Sequence, residues 1–569
     1  AVSINARELN RLNTLPHSHG EVRAAALAKM ITQLNKCDID YDNIATSIKH
    51  FNKYTPLFNE EIYSLPAAFR YALIFNIVRV CDKIVAFDKS RRRAQSDTQI
   101  DSRYYKFPGY LYYYKQSGKP VSDGLIMKRC NIGVDDIDIN FTSLVVDLNT
   151  ILSNCIKSYK RLDNVLSESN LIGLSPIDAA MSKDSVYSQM DIKSKRLYAD
   201  AVAKLSTRYN VTEKAIIDNA FVIAGCNNLH FGEVLFDMSK QIGYAVKGKM
   251  AKAVRDKSAG INSGLYISLI IISDLILSSV VALFMPSWQL SVAVGIITAI
   301  ASLKICEYFA GKIIGSFIPL RSVPRMNYKT IPSEGSTVVA VSEVFGCAQD
   351  VHDAMRRIVA MRNCNKDDYI AYVLLADYKV ADSKRVKADE EIIEACNSYG
   401  DSAVTIMLRS REQSGKIFRG RERKRGAIHD MNEYLLNGQS DKFDLITSQV
   451  SRPNFVMLLD SDSEVGVGGV KNAINAMLHP LADKYDLLTF GCSYRLSSIK
   501  TLYSRKFLYS SGTESYCSYS DFYYNLSGKS IYCGKGIYRL DRYEEKLRGK
   551  LPDGKILSRD KQGDELKAD

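Results

Sequence analysis

Two apolar runs, Leu265 to Phe284 and Trp288 to about Phe309, are separated only by Met285-Pro-Ser287, and they constrain this chain more than any other stretch. As a helix rising ~1.5 Å per residue, each is long enough to cross a hydrocarbon core of ~30 Å. So short a join forces a helical hairpin with its tip on the far side. Lys247, Lys249, Lys252, Arg255 and Lys257 precede the hairpin and Lys312, Arg321 and Arg325 follow it, whereas the tip carries no basic residue. The positive-inside rule then keeps both outer ends in the cytoplasm, an inner, multi-pass arrangement with the lipid bilayer as a partner. Asp274, inside the first run, reads either as a functional intramembrane charge or as a group bonding a neighbouring helix. Lys304 and Glu307, three apart near the end of the second, read as a pair that snorkels to the interface.

The hairpin divides the 569 residues into unlike parts. Before it, to about residue 260, apolar residues recur at three and four from Val22 to Leu34, Ile62 to Phe87, Phe141 to Leu166 and Lys193 to Ala224, the pattern of a helical cytosolic region. Pro66 falls near the start of the second of these helices, where its missing N–H costs little. The tyrosines Tyr104, Tyr105, Tyr110, Tyr112 and Tyr114 pack a loop or stack on sugars, and His17, His19 and His230 have no ligand-spaced partners. A net charge of +13 invites a nucleic acid, but the basic residues are spread along the chain without an aromatic-basic repeat, so no nucleic acid is expected. The twelve Cys lie singly, without a C-x-x-C pair, which is the pattern of a reduced compartment. A start at Ala1 without a basic-then-apolar leader reads as a fragment.

After the hairpin, strand and helix patterns alternate. Strands are expected at Ser336 to Val341, Tyr369 to Ala376, Ala403 to Leu408, Phe455 to Leu459 and Asp486 to Gly491. Helices are expected at Ala348 to Met361, Ala388 to Tyr399, Gly426 to Leu436 and Val470 to Leu478. Such alternation builds a mostly parallel sheet covered on both faces, with Glu343, Asp377, Arg409 and Asp460 at one edge, where open α/β sheets bind ligands. Asp460 and Asp462 end the apolar strand Asn454-Phe-Val-Met-Leu-Leu-Asp. Carboxylates at i and i+2 there either form a turn or converge on a divalent cation that holds a diphosphate. Glu422-Arg-Lys-Arg-Gly426 opens a helix containing Asn432, which suits a diphosphate cradle or a solvated basic surface. Gly534-Lys-Gly536 brings backbone close to a ligand. Asp560, ending Leu557-Ser-Arg-Asp560, is a candidate base for an acceptor hydroxyl or an exposed tail acid.

Taken in order, Glu422-Arg-Lys-Arg-Gly426, Leu459-Asp-Ser-Asp462, Ser520-Asp-Phe-Tyr-Tyr-Asn-Leu-Ser-Gly528, Gly534-Lys-Gly-Ile-Tyr538 and Leu557-Ser-Arg-Asp560 resemble the glycosyltransferase module of cyclic β-1,2-glucan synthases. Upstream, Ser185-Val-Tyr-Ser-Gln-Met-Asp191 and Arg196-Leu-Tyr198 are similar to that family's segment before its membrane helices. The resemblance implies a GT-A-like domain at 330–569, after a helical region at 1–260 and a transmembrane hairpin at 264–310. It implies an inverting transferase using UDP-glucose, with a β-1,2-glucan acceptor and a divalent metal, Mg or Mn, on Asp460 and Asp462. By position it places Asp377 near the uracil and ribose, Lys424, Arg425 and Gly426 near the diphosphate with Asp460, Gly534, Lys535 and Gly536, and Asp560 as the catalytic base. This sequence departs from the family at Arg559, where His is usual, after Asp560, and in lacking an Arg-Trp segment, further membrane helices and a phosphorylase-like region. Two other readings are a membrane-anchored UDP-sugar-binding fragment without turnover and a related synthase of different sugar or linkage.

Overall fold

A computed structural model describes residues 10, 12–104, 109–122, 133–247, 263–317, 323–400, 402–490, 500–505 and 534–547. The chain divides into two compact units, Ala1–Ser188 with Lys195–Lys252, and Gln189–Ser194 with Ala253–Asp569.

The first unit is helical. Its longest helices are α1 (Asn59–Ser96) and α2 (Asp136–Val165), which pack together over Leu65, Ala68, Phe69, Cys155 and Leu162. Helix α1 begins three residues before the expected Ile62 because Glu61 accepts from the Phe58 N–H at 2.9 Å and pairs with Arg23. Pro66 therefore lies inside the helix rather than in its first turn. The expected single helix over Lys193 to Ala224 is two, Ile192–Tyr209 and Glu213–Asn227. The chain turns at Asn210, with φ 53°, and Thr212 caps the second helix by accepting from Ala215 N–H. The described tyrosines pack: Tyr110 and Tyr114 are buried and Tyr112 stacks on Phe141 with ring centroids 4.3 Å apart, while Tyr105 lies outside the described residues. His230 is half-buried, its ring 2.9 Å from the Tyr198 hydroxyl.

Glu213 closes the first turn of α1 by accepting from Asn59 N–H at 3.3 Å, and burial, reinforced by Glu60 and Glu61, raises its pKa from 4.5 to about 7. A carboxyl whose folded pKa is raised contributes stability that is complete below its unfolded value and lost as pH rises through the folded one. The first unit is therefore expected to lose up to about 3 kcal/mol between pH 4.5 and 7, at 1.36 kcal/mol per unit. Glu213→Gln, which keeps the accepting oxygen, should flatten that slope. A slope unchanged by this substitution in thermal unfolding followed against pH would rule the assignment out.

In the second unit the hairpin forms as α3 (Ser263–Leu283) and α4 (Trp288–Phe317). Asp274 needs no helix from elsewhere: it is buried between the two arms and accepts from Ser302 Oγ at 2.6 Å. Lys304 and Glu307 pair at 2.6 Å. With α1 and α2, the chain has four described helices long and apolar enough to cross a membrane by length and composition.

The rest of the described second unit is built on β1 (Thr337–Phe345), β2 (Ile370–Tyr378), β3 (Val404–Arg409), a small hairpin of β4 (Glu412–Ser414) and β5 (Ile417–Arg419), then β6 (Phe443–Ile446), β7 (Phe455–Asp460), β8 (Leu487–Thr489) and β9 (Gly536–Arg539). Seven strands form one sheet in the order β8-β9-β7-β1-β2-β3-β6. The neighbours β7-β1-β2-β3 are parallel, whereas β9 runs antiparallel to β7 and β8, and β6 antiparallel to β3. The sheet is therefore mixed: β7, β1, β2, β3 and β8 run in one direction, and β9 and β6 run against them. Beyond the expected parallel strands lie β6, four residues interrupted by Asp444, and β9, whose apolar content is only Ile537 and Tyr538. Neither is long enough to announce a strand.

The central strands are largely apolar up to their carboxyl ends because both faces are covered. On one face Val339, Val341 and Leu374 meet α5 (Ala348–Cys364), α6 (Lys387–Asn397) and α8 (Gly469–Met477). On the other, Val338, Ala340 and Val373 meet α7 (Arg423–Asn437) and α9 (Leu540–Leu547) through Ile428, Met431, Leu540 and Tyr543. At ~1.5–3 kcal/mol per fully buried Val or Leu, this alternation fixes the strand register, since a one-residue slip would exchange the two faces.

Candidate functional site

The parallel register aligns the carboxyl ends of four strands. Ser342 of β1 stands opposite Asp460 of β7, Val344 of β1 opposite Asp377 of β2, and Asp377 opposite Arg409 of β3. Glu343, also at this edge, accepts from Arg357 of α5 at 2.5 Å. Two connections turn over the edge: the stretch 420–424 leading into α7, and Gly534-Lys535 leading into β9.

Both connections bring a lysine to Asp460. The Lys424 ammonium pairs with Asp460 Oδ1 and donates to Gly534 O at 3.0 Å, while Lys535 stands 3.2 Å from Asp460 Oδ2 and 3.7 Å from Asp462 Oδ1. Burial pushes the Asp460 carboxyl up, but Lys424 and Lys535 together outweigh it and hold the group below the ordinary carboxylate value. The Asp462 side chain is 82% exposed at the mouth. Two ammoniums and two carboxylates thus meet where two separate loops and a buried strand end converge.

The glycines have geometric reasons. Gly534 has φ 81°, and a Cβ there would stand 3.3 Å from Lys424 Nζ; a Cβ on Gly536 would come 2.6 Å from Leu488 O, inside the β8–β9 pairing. Gly426 packs its α-carbon against the Arg421 carbonyl and the Arg409 guanidinium. Arg425 turns back on Glu422 at 2.8 Å.

Behind the lysines the two loops share a support of which sequence reasoning named Asn432 and Tyr538 but not their link to each other. Tyr538 of β9 donates to Asn432 Oδ1 at 2.7 Å, Asn432 donates to Glu544 at 2.8 Å, and His429 stands 3.0 Å from Glu544. The Glu544 carboxylate raises the pKa of His429 against the effect of burial. The interior Asn432 in an otherwise apolar helix face was the signal: a buried amide must find partners. Asp430 was also missed.

Of the expected site residues, the structure therefore brings together Lys424, Asp460, Asp462, Gly534, Lys535 and Gly536, with Arg425 and Gly426 in the adjoining turn. Asp377 lies at the same edge, but its two oxygens receive the guanidinium of Arg409 at 2.7 and 2.9 Å. Asp560, Arg559 and the stretch Ser520 to Gly528 lie outside the described residues.

No family model matches the chain. Against individual proteins it is 22% identical, over 95% of its length, to the cyclic β-(1,2)-glucan synthase NdvB of Rhizobium meliloti (strain 1021). The chain is a distant homologue of that synthase. It spans 22% of the synthase's length, so the match takes in both units described above and only a part of the relative.

Can the site hold a divalent cation? Its donor set is two carboxylates one residue apart, and among the described residues no third His, Cys, Asp or Glu joins them. That suits a hard ion such as Mg²⁺, which takes one or two carboxylates, keeps several waters and completes its shell with substrate phosphate. Asp462 is the exposed member, and Asp460 is shared with the lysines.

Proposed function

We propose that the chain carries the donor site of a membrane-anchored, GT-A-like inverting glycosyltransferase. It would move glucose from UDP-glucose onto a β-1,2-glucan at the cytoplasmic membrane face, with α3 and α4 crossing the bilayer. The observation that carries this reading is the convergence of Lys424 and Lys535, from two separate loops, on Asp460 at a buried strand end beside exposed Asp462. The distant homology to a cyclic β-(1,2)-glucan synthase supports the sugar and the linkage.

In this reading Lys424 and Lys535 give the diphosphate two charge-assisted contacts that strengthen as negative charge gathers on the departing UDP, a stabilisation greatest in the transition state. Asp460 keeps both ammoniums in place while the site waits. A divalent cation, Mg or Mn, held chiefly by Asp462, would offset the diphosphate charge. Asp560 takes the proton of the acceptor hydroxyl as its oxygen attacks the anomeric carbon from the face opposite the leaving group.

UDP binding is therefore expected to need a divalent cation and to be weakened by about tenfold or more in Asp462→Asn, the scale of one charged contact. Glu343→Gln, whose carboxylate belongs to Arg357, should stay within about twofold, well under that single-contact scale. Calorimetry on the folded protein decides. Metal-dependent affinity equal in the Asp462 variant and the parent would remove the cation from this aspartate.

A further inference from the structure

Arg409, at the carboxyl end of β3, is 2% exposed and donates five hydrogen bonds. Nε reaches Asp377 Oδ1 at 2.7 Å; Nη2 reaches Asp377 Oδ2 at 2.9 Å and Arg423 O at 3.0 Å; Nη1 reaches Arg421 O and Asp430 Oδ2, both at 2.9 Å. A guanidinium has five N–H groups, so none remains for a ligand. A buried cation is costly unless paired, and Asp377 and Asp430 supply the pairing from β2 and α7.

The two carbonyls it holds lie on either side of Glu422. Glu422 and Arg423 both have left-handed backbones, with φ 54° and 52°. A non-glycine residue there costs on the order of 1–3 kcal/mol and persists only where its surroundings impose it. Nothing local to an Arg-Glu-Arg-Lys stretch favours two in succession. The loop is also closed onto the guanidinium at both ends: a Cβ on Gly420 would overlap Arg409 Nη2 and stand 2.6 Å from Asp377 Oδ2, and one on Gly426 would stand 2.8 Å from Arg409 Nη1. The residue that leaves this turn is Lys424, with its ammonium on Asp460.

We propose that Arg409 is the positioning residue of the donor site: by clamping the carbonyls of Arg421 and Arg423 it holds the turn that delivers Lys424 to Asp460, and Asp377 serves this clamp instead of the nucleoside. Its functional meaning rests on the donor-site reading, but the geometry can be tested apart from it. Lysine in place of Arg409 keeps one charge yet cannot reach two carboxylates and two carbonyls at once.

In the full chain, amine acetylation followed by mass spectrometry reports Lys424 and Lys535 separately. Lys535 enters from the Gly534 side, on a separate connection, and shares Asp460 with Lys424, so it serves as the internal reference. In Arg409→Lys, Lys424 should acetylate about tenfold faster, the scale of one lost charge-assisted bond, while Lys535 keeps its rate or slows as it gains Asp460 for itself. Should Arg409→Lys fail to fold, Asp430→Asn removes one arm of the clamp and is expected to give the same selective change at smaller amplitude. Both lysines accelerating together would mean general loosening and would overturn the proposal, as would no change in either. If selectivity appears but UDP affinity stays unchanged, the clamp stands and the donor reading falls. If UDP binding needs Lys424 but acetylation is unselective, the reverse holds.

Discussion

Replacing Lys424 and Lys535 together by alanine is expected to weaken UDP binding by about 10²–10⁴-fold, two charge-assisted contacts of ~1.5–3 kcal/mol each at tenfold per 1.4 kcal/mol. The single variants should not sum to the double, because the two ammoniums share Asp460 and removing one gives the other a full partner. A second consequence follows for Asp460. The lysines are what hold its carboxyl down against burial, so without them its pKa should rise. A depressed folded pKa contributes stability present above the unfolded value and lost as pH falls through the folded one. The parent therefore keeps that contribution at neutral pH, and the double variant gives it up. Equal UDP affinity in parent and double variant, by calorimetry at one salt concentration, would mean that the lysines only neutralise Asp460.

The sheet's centre was legible because burial on both faces demands uninterrupted apolar runs, and Val338 to Val341, Val373 to Leu375 and Phe455 to Leu459 are such runs. From them the order of carboxyl ends follows, and with it the meeting of Asp377, Arg409 and Asp460 at one edge. What periodicity could not show is what crosses the edge. Strand β9 has four residues and pairs antiparallel between β7 and β8, so Lys535 reaches Asp460 by a register that only tertiary pairing defines. The hairpin was legible for a different reason: two long apolar runs and a three-residue join allow one arrangement. The partner of Asp274 was not, because Ser302 lies 28 residues away on the opposing helix and its hydroxyl carries no sequence signal of its own.

The roles inside the basic run were the least legible. Glu422-Arg-Lys-Arg-Gly426 presents three cations in a row, and composition treats them alike. The structure separates them by what the backbone does: Arg423 lends its carbonyl to Arg409, Lys424 points its ammonium at Asp460, and Arg425 folds back on Glu422. Two consecutive left-handed residues make this separation, and their cause sits on another strand. The visible trace in the sequence is the pair of glycines bracketing the run, Gly420 and Gly426, each closed against the buried guanidinium.

The second large effect is expected at Asp560. Asp560→Asn should lower glucosyl transfer by the whole protein by about two to four orders of magnitude, the usual scale of a positioned general base. UDP affinity should stay within about twofold, because a base facing the acceptor hydroxyl makes no charged contact with the diphosphate. Asparagine keeps the shape and an accepting oxygen but cannot take a proton. The neighbouring Arg559 stands where the similar synthases usually carry His, and a cation beside a carboxylate favours its ionised form and weakens it as a base. Arg559→His is therefore expected to raise transfer or leave it unchanged. A large fall in Arg559→His would assign Arg559 a contact of its own, such as a phosphate oxygen, and would detach this end of the chain from the pattern it resembles. Equal losses of UDP binding and transfer in Asp560→Asn would place Asp560 in the nucleotide site. Unimpaired binding with transfer reduced in the Asp560 variant, beside impaired binding in the double lysine variant, would divide the site into a donor half built on Asp460 and an acceptor half built on Asp560.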